Sequence, residues 1–257
     1  MADVSAGDSA GTHTAFAIGG VFGNSLSIFG RNFALFVLIC AVLTLPFLIA
    51  SLTASDPVVI APRTGVIQSG LLRHSRIWLF LLPILQSLAQ APVIAGVFAH
   101  MQGRRVRASE ALLTFVRRIG PIAMVSILQT MAFTIGLAVL VVPGIIAWTM
   151  LYVAVPACIG ERLGVIASLN RSAALTKGDR WKLLGLGLVI VLAIAIPGII
   201  VQQLGFKLGG PAGFSIAEYL LQAVSMPFQA TVATVVYQAL RSAKEGTAIE
   251  TLSEVFA

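Results

Sequence analysis

Residues 119–160 read IGPIAMVSILQTMAFTIGLAVLVVPGIIAWTMLYVAVPACIG, a stretch of 42 residues without Asp, Glu, Lys or Arg. A straight helix of that length, at about 1.5 Å per residue, would reach roughly twice the ~30 Å hydrocarbon thickness of a bilayer. Pro143 and Gly144 lie near its middle, where they can interrupt a helix. The stretch therefore predicts two membrane crossings joined by a tight turn at Pro143-Gly144.

The rest of the chain is similarly apolar, with 58% hydrophobic and 11% charged residues and a mean hydropathy of +0.95. Soluble domains average about 25% charged residues. Four further charge-free stretches each reach the ~20 residues that a crossing requires. We therefore predict an all-α integral membrane protein with six transmembrane helices in three hairpins. The expected spans are approximately 33–55, 77–102, 119–142, 144–160, 183–206 and 217–240.

Outside this membrane domain, placed at 15–240, we expect a disordered N-terminal tail at 1–14 and a cytoplasmic C-terminal tail at 241–257. The net charge of +7 comes mainly from basic residues on one side of the predicted spans. The positive-inside rule then places both termini in the cytoplasm, so the basic excess indicates topology rather than nucleic-acid binding. The basic residues on this side are Arg31, Arg104, Arg105, Arg107, Arg117, Arg118, Arg162, Arg171, Lys177, Arg180, Lys182, Arg241 and Lys244, against Arg63, Arg73, Arg76 and Lys207 on the other.

A shorter segment of mixed polarity precedes each odd-numbered span. These segments lie around 16–32, at 108–119 and at 163–180. In the second and third, apolar residues recur at helical spacing, which is typical of amphipathic helices at a membrane interface. In the third, the expected apolar face includes Ile166 and Leu175. The likeness of the three segments suggests a threefold repeat. Alternatively, the segments resemble one another only because loops on the same side of the membrane are all basic.

The chain lacks the common signatures of catalysis. It contains no His-Glu-x-x-His, no Gly-x-Ser-x-Gly and no phosphate-binding Gly-x-x-x-x-Gly-Lys-Ser/Thr motif. Cys40 and Cys158 fall inside predicted spans without other ligands at metal-binding spacing. We expect no catalytic residues, no metal, no cofactor and no disulfide.

The polar side chains that enter the predicted spans are mostly amides. Gln86 and Gln90 share one face of the second span, and Gln129 lies in the third. Such amides commonly make hydrogen bonds between helices. They can also line a polar path through the membrane, which is the pattern expected of a transporter.

Several spaced motifs carry a family resemblance. Val142-Pro143-Gly144, Glu161 and the segment 168–182 are similar to the membrane domain found on some bacterial glycerophosphoryl diester phosphodiesterases. The opening Phe-Gly-Arg-Asn-Phe at 29–33 and the closing segment 237–246 also resemble that family. The resemblance implies a stand-alone bacterial membrane domain without the catalytic barrel. It implies a fold and a location in the inner (plasma) membrane, and no activity.

The matching segments contain cationic and hydroxyl side chains at the level of phospholipid headgroups. Glu161 and Arg171 are not expected to pair, because residues ten apart on one helix point about a quarter turn away from each other. The candidates for headgroup contact are Arg171, Ser172, Lys177, Arg180, Lys182, Arg117 and Arg118.

The leading functional hypothesis is a non-catalytic accessory or membrane-organising module that contacts anionic phospholipid headgroups. The alternative is a small-molecule or lipid transporter. Membrane lipids are the expected partners, a protein partner is left open, and nucleic acid is not expected.

The predicted topology can be tested with reporter fusions. A fluorescent protein fused after Ala257 should fluoresce, because the C terminus is expected in the cytoplasm. Alkaline phosphatase, which folds only outside the cytoplasm, should be active when inserted within 56–76 and inactive after Ala257. The reverse activities at the two positions would contradict the assigned orientation.

Overall fold

The computed structural model describes residues 18–53, 59–60, 67–68, 77–104 and 108–255, and side chains over 19–52, 84–104 and 108–246. The predicted disordered tail at 1–14 lies outside these residues. So do five of the basic residues counted for topology, namely Arg63, Arg73, Arg76, Arg105 and Arg107.

The described chain is helical apart from a pair of two-residue antiparallel strands, in which Val59 pairs with Gln68. The strands are β1 (Val59–Ile60) and β2 (Ile67–Gln68). The helices are α1 (Ile18–Arg31), α2 (Phe33–Thr53), α3 (Ile77–Met101), α4 (Ala108–Val139), α5 (Val141–Leu151), α6 (Ala154–Gly160), α7 (Val165–Thr176) and α8 (Arg180–Val255).

Five helical segments of the described chain are long and apolar enough to cross a membrane. Large apolar side chains remain exposed along them, as expected where lipid rather than water surrounds the protein. A predominantly helical chain with several such segments is compatible with a membrane-spanning protein, as the sequence predicts. The segments are Phe33–Leu52, Ile84–Met101, Ala108–Val139, Val141–Gly160 and Arg180–Gly246.

The turn between α4 and α5 lies at Leu140 and not at Pro143-Gly144. Leu140 is extended, with φ −162° and ψ 155°, and α5 begins at the next residue. Pro143 occupies the first turn of α5. Backbone N–H groups in a first turn have no helical partner, so proline, which lacks this group, is tolerated there. Gly144 instead permits a close approach: a Cβ on Gly136 would lie 2.7 Å from the Gly144 Cα. Pro143 and Gly144 therefore contribute to this hairpin as residues of α5 and do not form its turn.

The expected span 144–160 is interrupted. α5 ends at Leu151, and α6 starts at Ala154 after a turn at Tyr152 and Val153. Pro156 explains the break, because its ring clashes with the carbonyl four residues earlier and it cannot donate a helical hydrogen bond. The Ser172 hydroxyl donates to the carbonyl of Met150, near the end of α5, at 2.7 Å.

Two of the three expected interfacial helices, α1 and α7, are separate helices. The second is not, because residues 108–119 form the start of the continuous helix α4 despite Pro121. In α7 the predicted apolar face is only partly buried. Ile166 is 71% exposed, while Ser168 and Ser172 are buried. Hydroxyl groups that bond to backbone carbonyls suit the protein interior, and Ile166 suits lipid.

α8 contains a sharp break at Gly209 and Gly210, whose backbone angles are not helical. Gly210 has φ 60° and ψ −144°, a conformation that glycine adopts without a steric penalty. The two limbs, 180–208 and 211–255, fold back on each other. A Cβ on Gly205 would lie 2.6 Å from the backbone oxygen of Gly213, so small residues permit this approach.

The second limb of α8 lies at the centre of the bundle. Tyr237 is fully buried, and the Tyr219 hydroxyl donates to the carbonyl of Ala41 in α2 at 2.9 Å. Phe228 makes edge-to-face contacts with Phe22 and Phe29 of α1, at ring distances of 5.9 and 5.6 Å. The core therefore packs α1, α2 and α3 around the final limb.

Replacing Gly136 by Ala should destabilise the α4–α5 hairpin. The new methyl group would press on the backbone of Gly144, which cannot move aside as a side chain would. Overpacking of this kind costs about 1–3 kcal/mol. Gly120→Ala, in the same helix with open space at its Cβ position, is the matched control. Thermal unfolding in detergent should show a lower midpoint for Gly136→Ala alone. Equal midpoints for the two variants would contradict the close approach.

Candidate functional site

Glu161 lies immediately after α6 and accepts hydrogen bonds from two distant parts of the chain. The Arg171 Nε in α7 lies 2.9 and 3.1 Å from its two carboxylate oxygens. The hydroxyl of Tyr237 in α8 donates to it at 2.6 Å. The expectation that Glu161 and Arg171 do not pair is wrong. The quarter-turn argument assumed one continuous helix, whereas the chain turns between α6 and α7.

Glu245 completes a closed network. Its carboxylate lies 2.5 Å from Arg171 Nη2 and 2.9 Å from Arg241 Nε. Arg241 Nε is also 4.0 Å from a Glu161 oxygen. We name Glu161, Arg171, Tyr237, Arg241 and Glu245 the charged cluster. It connects the end of α6, the middle of α7 and the final limb of α8.

Lys244 strengthens the same connection. Its ammonium group donates to the carbonyls of Ala174 and Lys177, at 3.0 and 2.5 Å, at the C-terminal end of α7. Carbonyls at a helix C terminus lack helical partners and carry partial negative charge, so a cation is favourable there. Both the charged cluster and the hydrogen bonds from Lys244 to the C-terminal carbonyls of α7 therefore connect α7 to α8.

The network changes the ionisation of its members. Burial opposes ionisation of Glu245, but the hydrogen bonds from Arg241 and Arg171 outweigh it and lower the pKa of Glu245 below 4.5. For Arg171, burial disfavours the cation, while the hydrogen bonds to Glu161 and Glu245 outweigh that effect and raise its pKa. The ionised forms of both residues are therefore stabilised.

A cavity of about 250 Å³ lies beside the charged cluster, between α3, α4, residues 159–162 and α8. We name it the cationic cavity, because its described lining residues include Arg104, Arg162 and Arg241 and one carboxylate, Glu110. Arg104 Nη2 is paired with Glu110 at 3.1 Å. The side chains of Gln102, Thr114 and Gln238 add uncharged polar groups to the lining.

Arg162 is unusual within this lining. It has φ 54°, and it is the one residue other than glycine with positive φ in the described part of the chain. A non-glycine residue in this region costs about 1–2 kcal/mol. No hydrogen bond or ion pair engages its guanidinium within the described residues.

A second cavity, of about 180 Å³, lies between α3, α4, α5, α6 and α8. We name it the amide cavity, because Gln90, Gln129 and Gln229 line it. Of the predicted polar path, Gln90 and Gln129 are therefore brought together. Gln86, one turn earlier in α3, does not line this cavity.

The predicted headgroup candidates are placed in different environments. Ser172 is fully buried and donates to Met150, so no surface of it is open to a headgroup. Arg171 is engaged by two carboxylates, and Lys182 lies 2.8 Å from Asp179. The Arg180 Nε is buried without a partner in the described structure. Arg117 and Lys177 are exposed, and Arg118 is half-buried.

No chemistry for metal binding is brought together in the part of the chain that the structure describes. No group of three His, Cys, Asp or Glu side chains lies close enough there to hold an ion. Cys40 and Cys158 are free and buried. The expectations of no cofactor and no catalysis stay predictions.

Comparison with known proteins finds no matching family model, no matching curated protein and no matching solved structure. The resemblance to the phosphodiesterase membrane domain therefore stays a prediction.

Replacing Glu161 by Gln should destabilise the protein, because Arg171 and Tyr237 would lose their shared carboxylate acceptor in a site where Glu161 is only 17% exposed. Removing one partner of a partly buried charged network costs a few kcal/mol. Asp179→Asn, which breaks the more exposed pair with Lys182, is the control and should cost about 0–1 kcal/mol. Equal unfolding free energies for the two variants would show that the charged cluster does not support the fold.

The lowered pKa of Glu245 predicts a pH dependence. Its ionised form stabilises the fold above about pH 4.5, and this contribution is lost as pH falls through the lower pKa of the folded state. The stability difference between the natural protein and Glu245→Gln should thus be constant above pH 5 and shrink below pH 4.5. Unfolding curves at several pH values measure it. A difference that grows on acidification would contradict the network.

Proposed function

We propose that this chain is a non-catalytic, multi-pass protein of the bacterial inner membrane that contacts anionic phospholipid headgroups through its cationic cavity. In this proposal it crosses the membrane six times as three hairpins, with both termini in the cytoplasm. The likeness to the phosphodiesterase membrane domain agrees with such an accessory role. A protein partner remains compatible with it.

Six crossings are supported by the break at Gly209-Gly210, which divides the long candidate segment Arg180–Gly246 into two limbs. The loops with most basic residues meet at one end of the bundle. Asn32 Nδ2 lies 3.2 Å from His100 Nδ1, and Arg104, Arg162 and Arg241 line one cavity. We call this the basic end. If the chain crosses the membrane an even number of times between two loops, both loops lie on the same side. The common location of these loops agrees with that arrangement.

The observation that carries the proposal is the charge of the cationic cavity. Among the described lining residues, Arg104 is paired with Glu110 and Arg241 with Glu245 of the charged cluster, so the guanidinium of Arg162 is the charge left to attract an anion. Guanidinium groups match phosphate oxygens in geometry and retain their charge when partly dehydrated. The first turns of α4 place Ala111 and Thr114 in the lining and leave Leu113 and Val116 exposed. A phosphate with attached acyl chains suits such a polar site beside an apolar surface.

The conformation of Arg162 supports the same proposal. Strained backbone persists only where the surrounding structure imposes it, and such residues cluster at functional sites. Arg162 follows Glu161, whose carboxylate is held by Arg171 and Tyr237. The charged cluster thus fixes the backbone from which Arg162 reaches the cavity.

Transport is the second candidate, and the amide cavity is the observation that favours it. An uncharged polar cavity between helices is a feature of permeases. Proteoliposome assays distinguish the two candidates, because a transporter would move its substrate across the membrane and an accessory module would not.

Arg162→Gln should weaken lipid retention. Loss of one charge-assisted hydrogen bond costs about 1.5–3 kcal/mol, or roughly tenfold or more in affinity. Native mass spectrometry of protein released from nanodiscs should show an anionic phospholipid retained by the natural protein and depleted in this variant. Arg31→Gln, an exposed arginine outside the cavity, is the matched control and should retain it. Equal loss in both variants would indicate general surface attraction and contradict a site.

Arg162→Gly separates stability from binding. Glycine adopts a positive φ without strain, so this variant should lose lipid and yet unfold at the same or a higher temperature, with a gain of up to about 1 kcal/mol. Lipid loss accompanied by a large fall in the unfolding midpoint would assign Arg162 to the fold instead.

A further inference from the structure

The amide cavity brings together three carboxamides from three different helices. Gln90 comes from α3, Gln129 from α4 and Gln229 from the second limb of α8. They are far apart in sequence, so their convergence is a product of the tertiary fold. The described residues that line this cavity and those that line the cationic cavity do not overlap.

The three carboxamides have no hydrogen-bond partner among the described protein groups. Polar groups between membrane helices are normally paired, because an amide without a partner in an apolar environment costs several kcal/mol. Their donors and acceptors are therefore available inside the cavity. Each carboxamide offers two N–H donors and one carbonyl acceptor.

The lining determines the charge of a suitable ligand. Among the described residues that line it there is no Asp, Glu, Lys, Arg or His, and the polar members besides the three amides are Ser87, Trp148 and Tyr152. A charged ligand would lose its hydration without gaining a counter-ion, which is strongly unfavourable. A neutral ligand with hydroxyl groups can both donate to and accept from carboxamides.

An aromatic wall completes the cavity. The rings of Trp148 and Tyr152 lie 5.0 Å apart at 60°. Gly187 leaves room for Trp148, because a Cβ there would overlap the indole ring. Aromatic faces pack against C–H groups, so this wall suits the carbon skeleton of a ligand whose hydroxyl groups face the amides. The volume of about 180 Å³ is below the ~300 Å³ typical of pockets for drug-sized ligands.

From these observations we infer that the amide cavity is a binding site for a small neutral polyol, with Gln90, Gln129 and Gln229 as its hydrogen-bonding groups. This site is separate from headgroup contact at the cationic cavity, and it does not require transport. Lipid retention and polyol binding should therefore respond to different substitutions.

Saturation-transfer NMR on the full chain in nanodiscs, prepared without glycerol, tests the inference. Glycerol and erythritol are the probes, and glycerate and ethanolamine are charged comparisons of similar size. We expect transfer to the two polyols and none to the charged compounds. Gln90→Leu and Gln129→Leu should each reduce polyol transfer about tenfold. Gln86→Leu, in the same helix but outside the cavity, should leave it unchanged.

Three outcomes would overturn the inference. Unchanged transfer in both Gln90→Leu and Gln129→Leu would place polyol binding elsewhere. Equal transfer to the charged compounds would contradict a neutral site. Absence of transfer to either polyol with the natural protein would indicate that water alone fills the cavity. Unfolding midpoints of each variant identify any loss that is due to misfolding. Lipid retention, measured on the same samples, keeps failure of this site distinct from failure at the cationic cavity.

Discussion

The structure of the basic end depends on the hydrogen bonds that the carboxylate of Glu161 accepts. It accepts hydrogen bonds from Arg171 and Tyr237, and so joins the end of α6 to α7 and to the final limb of α8. A carboxylate that is largely out of water is stable only when its oxygens are paired. Arg171 also binds Glu245, which in turn binds Arg241, so the pairing extends into a closed network. The position of Arg162, the next residue, follows from this arrangement.

A second constraint is that the helices must pack closely although the hydrophobic effect does not drive them together within a bilayer. In a bilayer the apolar side chains can remain outside, and helices associate through small residues and hydrogen bonds. Gly136 with Gly144 and Gly205 with Gly213 allow backbones to approach, while Ser172 satisfies a backbone carbonyl where α5 ends. The two polar cavities differ, because each contains polar side chains without a hydrogen-bond partner among the described residues: Arg162 in the cationic cavity and the three glutamines in the amide cavity. That contrast is the reason for assigning binding to them.

The sequence predicted the helical character and apolar segments because charge-free length is a local property that the bilayer imposes directly. Positions of breaks were less predictable. Pro143 and Gly144 mark the correct hairpin, but the turn falls at Leu140, since proline is tolerated in a first helical turn and glycine was needed for contact. The pairing of Glu161 with Arg171 was missed because spacing along one helix says nothing across a turn. Glu161 beside a charge-rich segment was the available signal.

The cavities show the same limit. Gln90 and Gln129 were identifiable as polar residues in apolar helices, but their meeting with Gln229 depends on tertiary packing that no local pattern encodes. Arg162 carried no signal of its own, because a positive φ at a non-glycine residue is set by its surroundings. Solid-state NMR between ³¹P of anionic lipid and ¹⁵N-labelled arginine measures whether arginines of the cationic cavity hold a lipid phosphate. We expect nitrogen–phosphorus coupling at hydrogen-bonding range that disappears in Arg162→Gln. Coupling that is absent, or unchanged in that variant, would contradict it.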